Sequence, residues 1–103
     1  MSCSRNDVVL LPIPFTDLTT RKVRPAVVIG GNGADLFLVP ISSQINNTDF
    51  AIHEWRVAGL NVPCGVKAQI ATVEEKLIIK KIGVFAPADQ QQLNRRLKAW
   101  LQL

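Results

Sequence analysis

Arg24 is the residue whose type and position are best suited to chemistry, because it stands directly before Pro25. A residue before proline is pushed toward extended backbone, so its side chain has a restricted direction. The planar guanidinium stays charged at physiological pH and can donate to two phosphate oxygens at once. Arg24 is therefore the leading candidate for contact with a phosphate group. The alternative is a surface arginine that pairs with Asp17.

Three further polar side chains could take part in the same chemistry. Ser42 follows an apolar run and could donate its hydroxyl to a phosphate oxygen, or it could bond to its own backbone. Lys67 could contact phosphate or remain a solvated lysine on a polar strand face. His53 is the single histidine, a residue type that a metal-free reaction at phosphate could use as an acid or base, but beside Trp55 a structural role is favoured.

The elements that must position these residues are mostly short strands. Apolar and β-branched runs alternate with Gly, Pro and Asn, which predicts strands at 8–13, 26–29, 36–41, 50–56, 66–72 and 77–84. The turn residues Gly30 to Gly33 between two such runs predict a hairpin. In 66–72, Val66, Ala68 and Ile70 are expected on one packed face and Lys67 and Gln69 on the wet one.

The C-terminal segment changes to a helical period. Leu93, Leu97, Trp100 and Leu101 recur at three- and four-residue steps, and Pro87 and Asp89 suit the first turn of a helix. Trp100 is therefore expected in the core. About five to seven short antiparallel strands closed by one helix predict a mainly β fold, a small barrel with a C-terminal α-helix.

Length and composition limit the number of domains and the kinds of partner. The chain has 103 residues with 48% apolar content, which fits one domain over 1–103. Twelve Lys and Arg against eight Asp and Glu give a formal charge of +4, which is compatible with a polyanionic partner. No apolar run is long enough for a membrane span, and Cys3 and Cys64 are expected to be free thiols rather than a disulfide or metal ligands.

Three segments, in this order and spacing, resemble the MazF/PemK family of toxins. The first joins Asp7–Leu10, the loop around Pro14–Leu18 and the Arg-Pro strand Arg24–Ile29. The second is Val39–Gln44, where the family has a strand that ends in Thr or Ser followed by a polar residue. The third runs from Gly65–Thr72 to Leu77–Gly83 and precedes the closing helix.

The resemblance implies an SH3-like, MazF/CcdB-like barrel that forms a homodimer in the cytoplasm. It implies an endoribonuclease that cuts single-stranded mRNA at short sequences, without ribosome, metal or cofactor, by 2′-hydroxyl attack that leaves a cyclic phosphate. A cognate antitoxin protein would neutralise it. Arg24 and Ser42 match the catalytic positions, and the expected RNA contacts are Phe15, Thr16, Arg21, Lys22, Ser43, Gln44, Lys67 and Gln69. Phe15 is expected to serve as a base platform or as a hinge of its loop.

The chain departs from some family members in one segment. They carry an Arg and an Asp where this chain has Lys67, Ala68 and Gln69, and a further arginine where it has Ala71. No carboxylate is left there to act as a general base. Two alternatives therefore stand beside the nuclease: an RNA- or protein-binding module of the same fold, and a degenerate toxin retained as a protein-interaction or repressor subunit.

Overall fold

The computed structural model describes residues 2–12 and 22–103, which form a mainly β fold that ends in one helix. Three long strands, β1 to β3, span Asp7–Pro12, Val23–Asn32 and Asp35–Ser42, and four short strands, β4 to β7, span Phe50–Ala51, Gly65–Val66, Ala71–Glu74 and Lys80–Val84. Single-turn 3-10 helices span Ile45–Asn47 and Glu75–Leu77, and the helix α1 spans Pro87–Leu101.

The seven strands form one antiparallel sheet. Its order is β4-β5-β3-β2-β1-β7, and β6 pairs with the remaining length of β3. The mainly antiparallel β fold with a C-terminal helix is confirmed. Within residues 2–12 and 22–103 the sheet is not closed into a ring of hydrogen bonds, so it is an open, barrel-like sheet rather than a closed barrel.

The predicted hairpin is confirmed as the β2–β3 pair. Its last ladder pair is Asn32 with Asp35, and Gly33 adopts a φ of 64°, the left-handed conformation that glycine tolerates best. The turn is shorter than the glycine-rich segment, because Gly30 and Gly31 continue β2 opposite Phe37 and Leu36 of β3. The hairpin therefore fixes the register of the two longest strands.

The core lies on both faces of the sheet. Alternation along β1 sends Val8 into one apolar cluster and Val9 into another, and both side chains are fully buried. The first cluster includes Leu93 and Leu97 of α1, which confirms the predicted amphipathic helix. The second cluster contains Leu11 of β1, Ala26 of β2 and other residues, mostly from the strands.

Two predicted strands are shorter than expected. The strand at 50–56 is reduced to β4, because residues 53–59 form turns. The strand at 77–84 begins only at Lys80, because Leu77 ends a 3-10 turn. Within the described ranges, no helix is both long enough and apolar enough to cross a bilayer.

Candidate active site

Arg24 and Ser42 lie at the same end of the β2–β3 hairpin. The last ladder pair before that end is Ala26 with Pro40. Arg24 lies two residues before Ala26 in β2, and Ser42 lies two residues after Pro40 in β3. Because side chains alternate along a strand, this register puts all four residues on one face of the sheet. The two side chains proposed for phosphate chemistry thus share an end and a face of the sheet.

Arg24 combines an anchored backbone with an exposed side chain. It pairs in register with Leu11 of β1, which is fully buried, and its neighbour Pro25 pairs with Leu10. Among the described residues, no carboxylate oxygen lies within 4.0 Å of the guanidinium nitrogens. Asp17, the partner considered above, lies outside the described residues. The sheet thus fixes the backbone position from which this cation reaches into solvent.

Ser42 is half-buried, and its hydroxyl oxygen has a backbone partner. The N–H of Gln44 donates to Ser42 Oγ over 3.1 Å, so the alternative role as a serine that bonds to nearby backbone is observed. This bond uses one lone pair of the hydroxyl and leaves its proton free to donate. The contact therefore orients Oγ at the end of β3 without consuming the donor that phosphate chemistry requires.

A surface cavity of about 500 Å³ begins one residue beyond Ser42. It is lined by consecutive residues, Ser43, Gln44, Ile45, Asn46 and Asn47. All five side chains are exposed, and the side-chain amides of Gln44 and Asn47 are bonded to each other over 3.0 Å. The two RNA contacts predicted in this segment thus lie in a preformed hollow beside Ser42.

Gly65 and Thr48 hold the far side of this loop in place. Gly65 pairs with Ser42, and a β-carbon at position 65 would overlap Thr48 Oγ1 and lie 2.8 Å from the carbonyl oxygen of Phe50. Thr48 Oγ1 in turn donates to the carbonyl oxygen of Ile45 over 2.6 Å. Neither residue was predicted to shape the site, although a glycine at the start of a strand signals a close approach of backbone.

Lys67 lies beside the same strand end. Its backbone N–H donates to the carbonyl oxygen of Pro40 over 3.0 Å, which continues the pairing of Val66 with Ile41 by one residue. Lys67 is half-buried. Its backbone therefore lies opposite Pro40, near the end of the sheet that carries Arg24.

The predicted strand over 66–72 is interrupted: Val66 ends β5, Ala71 begins β6, and the prediction is wrong for residues 67–70 between them. Pro40 has no N–H to donate back, so the ladder stops opposite Lys67, and residues 67–70 bridge β5 and β6 without strand structure. Ala68, Gln69 and Ile70 are all exposed, and Ile70 keeps 45% of its surface in solvent. The expected division into a packed and a wet face does not exist, and Gln69 lies in an exposed connection.

The remaining predicted RNA contacts precede β2. Lys22 is exposed and lies directly before that strand. Phe15, Thr16 and Arg21 lie outside the described residues. The structure thus locates the expected contacts Lys22, Ser43, Gln44, Lys67 and Gln69, and it gathers Ser43, Gln44 and Lys67 around the end of β3.

His53 does not pack in the protein interior. Its side chain is 80% exposed and lies 3.7 Å from the Glu54 carboxylate. The prediction of a structural role for this imidazole is therefore wrong. The residue that holds this segment is Asp89 of α1, which is 2% exposed. Its two carboxylate oxygens accept the backbone N–H groups of His53 and Glu54 over 2.8 and 2.9 Å. The predicted position of Asp89 in the first helical turn is confirmed, but this contact was not foreseen.

The two tryptophans support the fold. Trp100 packs against the first core cluster as predicted, but it is half-buried rather than enclosed in the core. Trp55 packs against the same cluster, and the guanidinium of Arg56 lies 4.2 Å from its ring centroid. Both rings pack against the cluster that contains Val27 and Val39, whose side chains lie on the other face of the sheet from Arg24 and Ser42.

The cysteines are free, as predicted, and the described residues hold no group of three or more His, Cys, Asp or Glu placed to bind a metal ion. Cys64 is buried with 4% exposure, and its Sγ donates to the carbonyl oxygen of Val62 over 3.3 Å. Burial raises the pKa of the Cys64 thiol and of the Cys3 thiol above their ordinary values. Both side chains are therefore protonated and poorly nucleophilic at neutral pH.

Comparison with protein-family models identifies the chain. Residues 4–101 match the family described as PemK-like, MazF-like toxins of type II toxin–antitoxin systems. The chain belongs to this family. The match includes both Arg24 and Ser42 and the whole of α1. None of the curated proteins compared with the chain is significantly similar to it.

Solved structures share the MazF-like fold at low sequence identity. The Mycobacterium tuberculosis toxin MazF-mt6 has a TM-score of 0.74 and 15% identity, over 94% of this chain and 97% of that one. An endoribonuclease in complex with its cognate antitoxin, from a mycobacterial species, has a TM-score of 0.70 and 18% identity, over 96% of this chain and 92% of that one. This chain therefore adopts the MazF-like fold although few of its residues are identical to those of these two proteins.

Proposed function

We propose that this MazF-like toxin is a sequence-specific endoribonuclease that cuts single-stranded mRNA without metal, cofactor or ribosome. Family membership supports a toxin, and the structurally similar endoribonuclease supports RNA cleavage. The single observation that carries the proposal is the position of Arg24 and Ser42 at one end and on one face of the β2–β3 hairpin.

The proposed reaction is an internal transesterification. The 2′-hydroxyl oxygen attacks the neighbouring phosphorus, the bond to the 5′-oxygen of the next nucleotide breaks, and the products are a 2′,3′-cyclic phosphate and a 5′-hydroxyl. One proton leaves the 2′-oxygen and one reaches the departing 5′-oxygen. The protein's main task is to stabilise the extra negative charge on the phosphorane.

Arg24 is proposed to stabilise that charge. Its backbone is anchored by the pairing with Leu11, which fixes the point at which the side chain leaves the sheet, and the planar guanidinium presents its donors in a rigid fork. Two parallel N–H bonds to nonbridging oxygens strengthen as the phosphorane forms. A preorganised donor of this kind contributes about 3 kcal/mol, or roughly a hundredfold in rate.

Ser42 and Lys67 are proposed to assist from β3 and from the end of β5. The Ser42 hydroxyl, held by the N–H of Gln44, donates its free proton to a nonbridging oxygen. Lys67, bonded through its backbone to Pro40, contacts a phosphate of the same strand of RNA. Lys22, Ser43, Gln44 and Gln69, with Phe15, Thr16 and Arg21 of the segment before β2, are proposed to contact neighbouring nucleotides.

The proposed setting is that of a type II toxin. The protein forms a homodimer and acts in the cytoplasm, where a cognate antitoxin protein binds it and blocks access of RNA. Expression of the chain alone should arrest growth of a bacterial host, and co-expression of a small acidic protein encoded beside it should relieve the arrest. Harmless expression of folded protein would contradict the toxin proposal.

A digestion of long RNA in EDTA tests the activity itself. The proposed enzyme leaves a limited set of fragments whose 3′ ends carry a cyclic phosphate and whose 5′ ends are hydroxyls. A substrate with a single 2′-deoxynucleotide at a mapped cut site should stay intact at that site alone. Cleavage that requires added divalent metal, or that persists at the 2′-deoxy site, would refute the mechanism.

A binding module without catalysis is the second candidate, and one observation favours it. Residues 67–69 carry no carboxylate to act as a general base. In that case the RNA remains intact in the same digestion while the protein still retards it in a gel. The outcome separates the two functions, because both predict RNA binding and only one predicts fragments.

A further inference from the structure

The amides of Gln44 and Asn47 form a pair in the wall of the cavity next to Ser42. The Asn47 Nδ2 group donates to Gln44 Oε1 over 3.0 Å, and both side chains are exposed. The bond uses one donor and one acceptor. It leaves the Nε2 donors of Gln44 and the Oδ1 acceptor of Asn47 free. The bonded pair thus offers a donor from Gln44 and an acceptor from Asn47 on a solvent-facing surface.

The backbone that carries this pair is fixed. Residues 45–47 form a 3-10 turn in which the Asn47 N–H donates to the Gln44 carbonyl oxygen over 2.9 Å. The next two residues are tied down as well: Thr48 is packed against Gly65, and the Asp49 N–H donates to the Val66 carbonyl oxygen over 2.7 Å. The two amides therefore project from a backbone that is ordered before any ligand arrives.

The surroundings of the pair suit a nucleobase. The cavity also contains Ile45, which keeps 39% of its surface exposed and offers an apolar contact for the flat face of a base. Gln44 is also bonded through its backbone to Ser42 Oγ, so the cavity adjoins the proposed position of the scissile phosphate. Proteins that read single-stranded RNA bind splayed bases by stacking and by hydrogen bonds to their edges.

We propose that the Gln44–Asn47 amide pair reads the edge of one nucleobase beside the scissile phosphate and thereby sets the RNA sequence that is cut. This inference rests on the proposed nuclease function. Every nucleobase has a hydrogen-bond donor next to an acceptor along its edge, in an order that differs between bases. Because the bond between the two amides sets the order of the donor and the acceptor on the protein, the pair matches some bases better than others. The pair is a specificity element, whereas Arg24 and Ser42 act on the phosphate.

The experiment maps cut sites in a pool of random-sequence RNA, in EDTA, for wild type and for Gln44→Glu and Gln44→Met. The glutamate variant keeps an acceptor for Asn47 but loses the free donor, whereas the methionine variant loses both polar groups at similar length without added charge. Both variants should change the base preference at one nucleotide position by about tenfold and leave the other positions unchanged. Gln91→Glu, on the exposed face of α1, is the matched control for charge.

The outcomes separate this inference from the nuclease proposal. If wild type leaves the RNA intact, the nuclease function fails and the inference falls with it. If wild type cuts but both variants keep its preference at every position, the inference is overturned while the nuclease stands. A uniform loss of rate with unchanged preference in folded variants would also overturn it, because the pair would then support the loop rather than read a base.

Discussion

Gly65 and Thr48 pack so closely that a side chain would not fit at position 65. A β-carbon there would overlap Thr48 Oγ1 and lie 2.7 Å from Thr48 Cβ. Because Gly65 also pairs with Ser42, this contact sets how closely the loop after Ser42 approaches the end of the sheet. The geometry of the candidate active site thus depends on a residue that has no side chain.

Gly65→Ala should therefore lower both stability and activity. Thr48 and the Phe50 carbonyl would have to move, and overpacking of this kind typically costs about 1–3 kcal/mol. Urea unfolding gives the free-energy change, and RNA digestion gives the rate. Gly30→Ala is the matched control, because a β-carbon at position 30 would lie 3.7 Å from Phe37, an ordinary contact distance. Equal effects of the two substitutions would contradict the account of Gly65.

Ser42→Ala should slow RNA cleavage by roughly ten- to a hundredfold, because a hydrogen bond to a charged phosphate oxygen contributes about 1.5–3 kcal/mol. Ser42→Thr should retain most of the activity, since it keeps the hydroxyl that accepts from the Gln44 N–H. Single-turnover rates at saturating protein measure the effect on the chemical step. Similar rates for the alanine variant and wild type would remove Ser42 from the mechanism.

Much of the site could be predicted from local sequence. The order Arg24-Pro25 indicated an extended residue at a strand entrance, and β2 does include Arg24. The glycines before Asp35 indicated the hairpin that aligns Arg24 with Ser42. These features depend on backbone preferences of a few neighbouring residues, which the sequence displays directly.

The predictions of strands were wrong where contacts with residues distant in the sequence determine the backbone conformation. The run from Lys67 to Ile70 alternates like a strand, but its partner position is Pro40, which cannot complete the ladder. His53 and Glu54 look like part of a strand, but Asp89 holds their backbone in a turn from a position far along the chain. Neither pairing can be inferred from the segment that it reshapes.

Asp89→Asn should destabilise the protein by about 1–3 kcal/mol. The amide keeps one oxygen, so the other backbone N–H of the His53–Glu54 pair would lose its acceptor in a buried place. Urea unfolding measures the loss. Glu54→Gln removes an exposed carboxylate from the same segment and should change stability by less than about 0.5 kcal/mol. If both variants are equally stable, Asp89 does not hold this segment.

Stability should fall at alkaline pH partly because of Cys64. Burial raises the pKa of its thiol in the folded state, so the folded protein keeps the proton after the unfolded chain has lost it. This contribution is full below the unfolded pKa of about 8.5 and is lost as the pH rises above it. Unfolding free energies from about pH 8 to about pH 10 should decline less steeply in Cys64→Ala. Parallel slopes would contradict this assignment, since Cys3 is present in both proteins.

The most direct test of the central claim is the single-turnover rate of RNA cleavage by Arg24→Ala in EDTA. The account predicts a rate at least about a hundredfold below wild type. It also predicts a strong defect in Arg24→Lys, because an ammonium cannot make the two parallel bonds of a guanidinium. Arg95→Ala, on the exposed part of α1 where Arg95 bonds to Gln92, should cleave like wild type. Cleavage by folded Arg24→Ala within a fewfold of wild type would contradict the claim that this guanidinium stabilises the phosphorane.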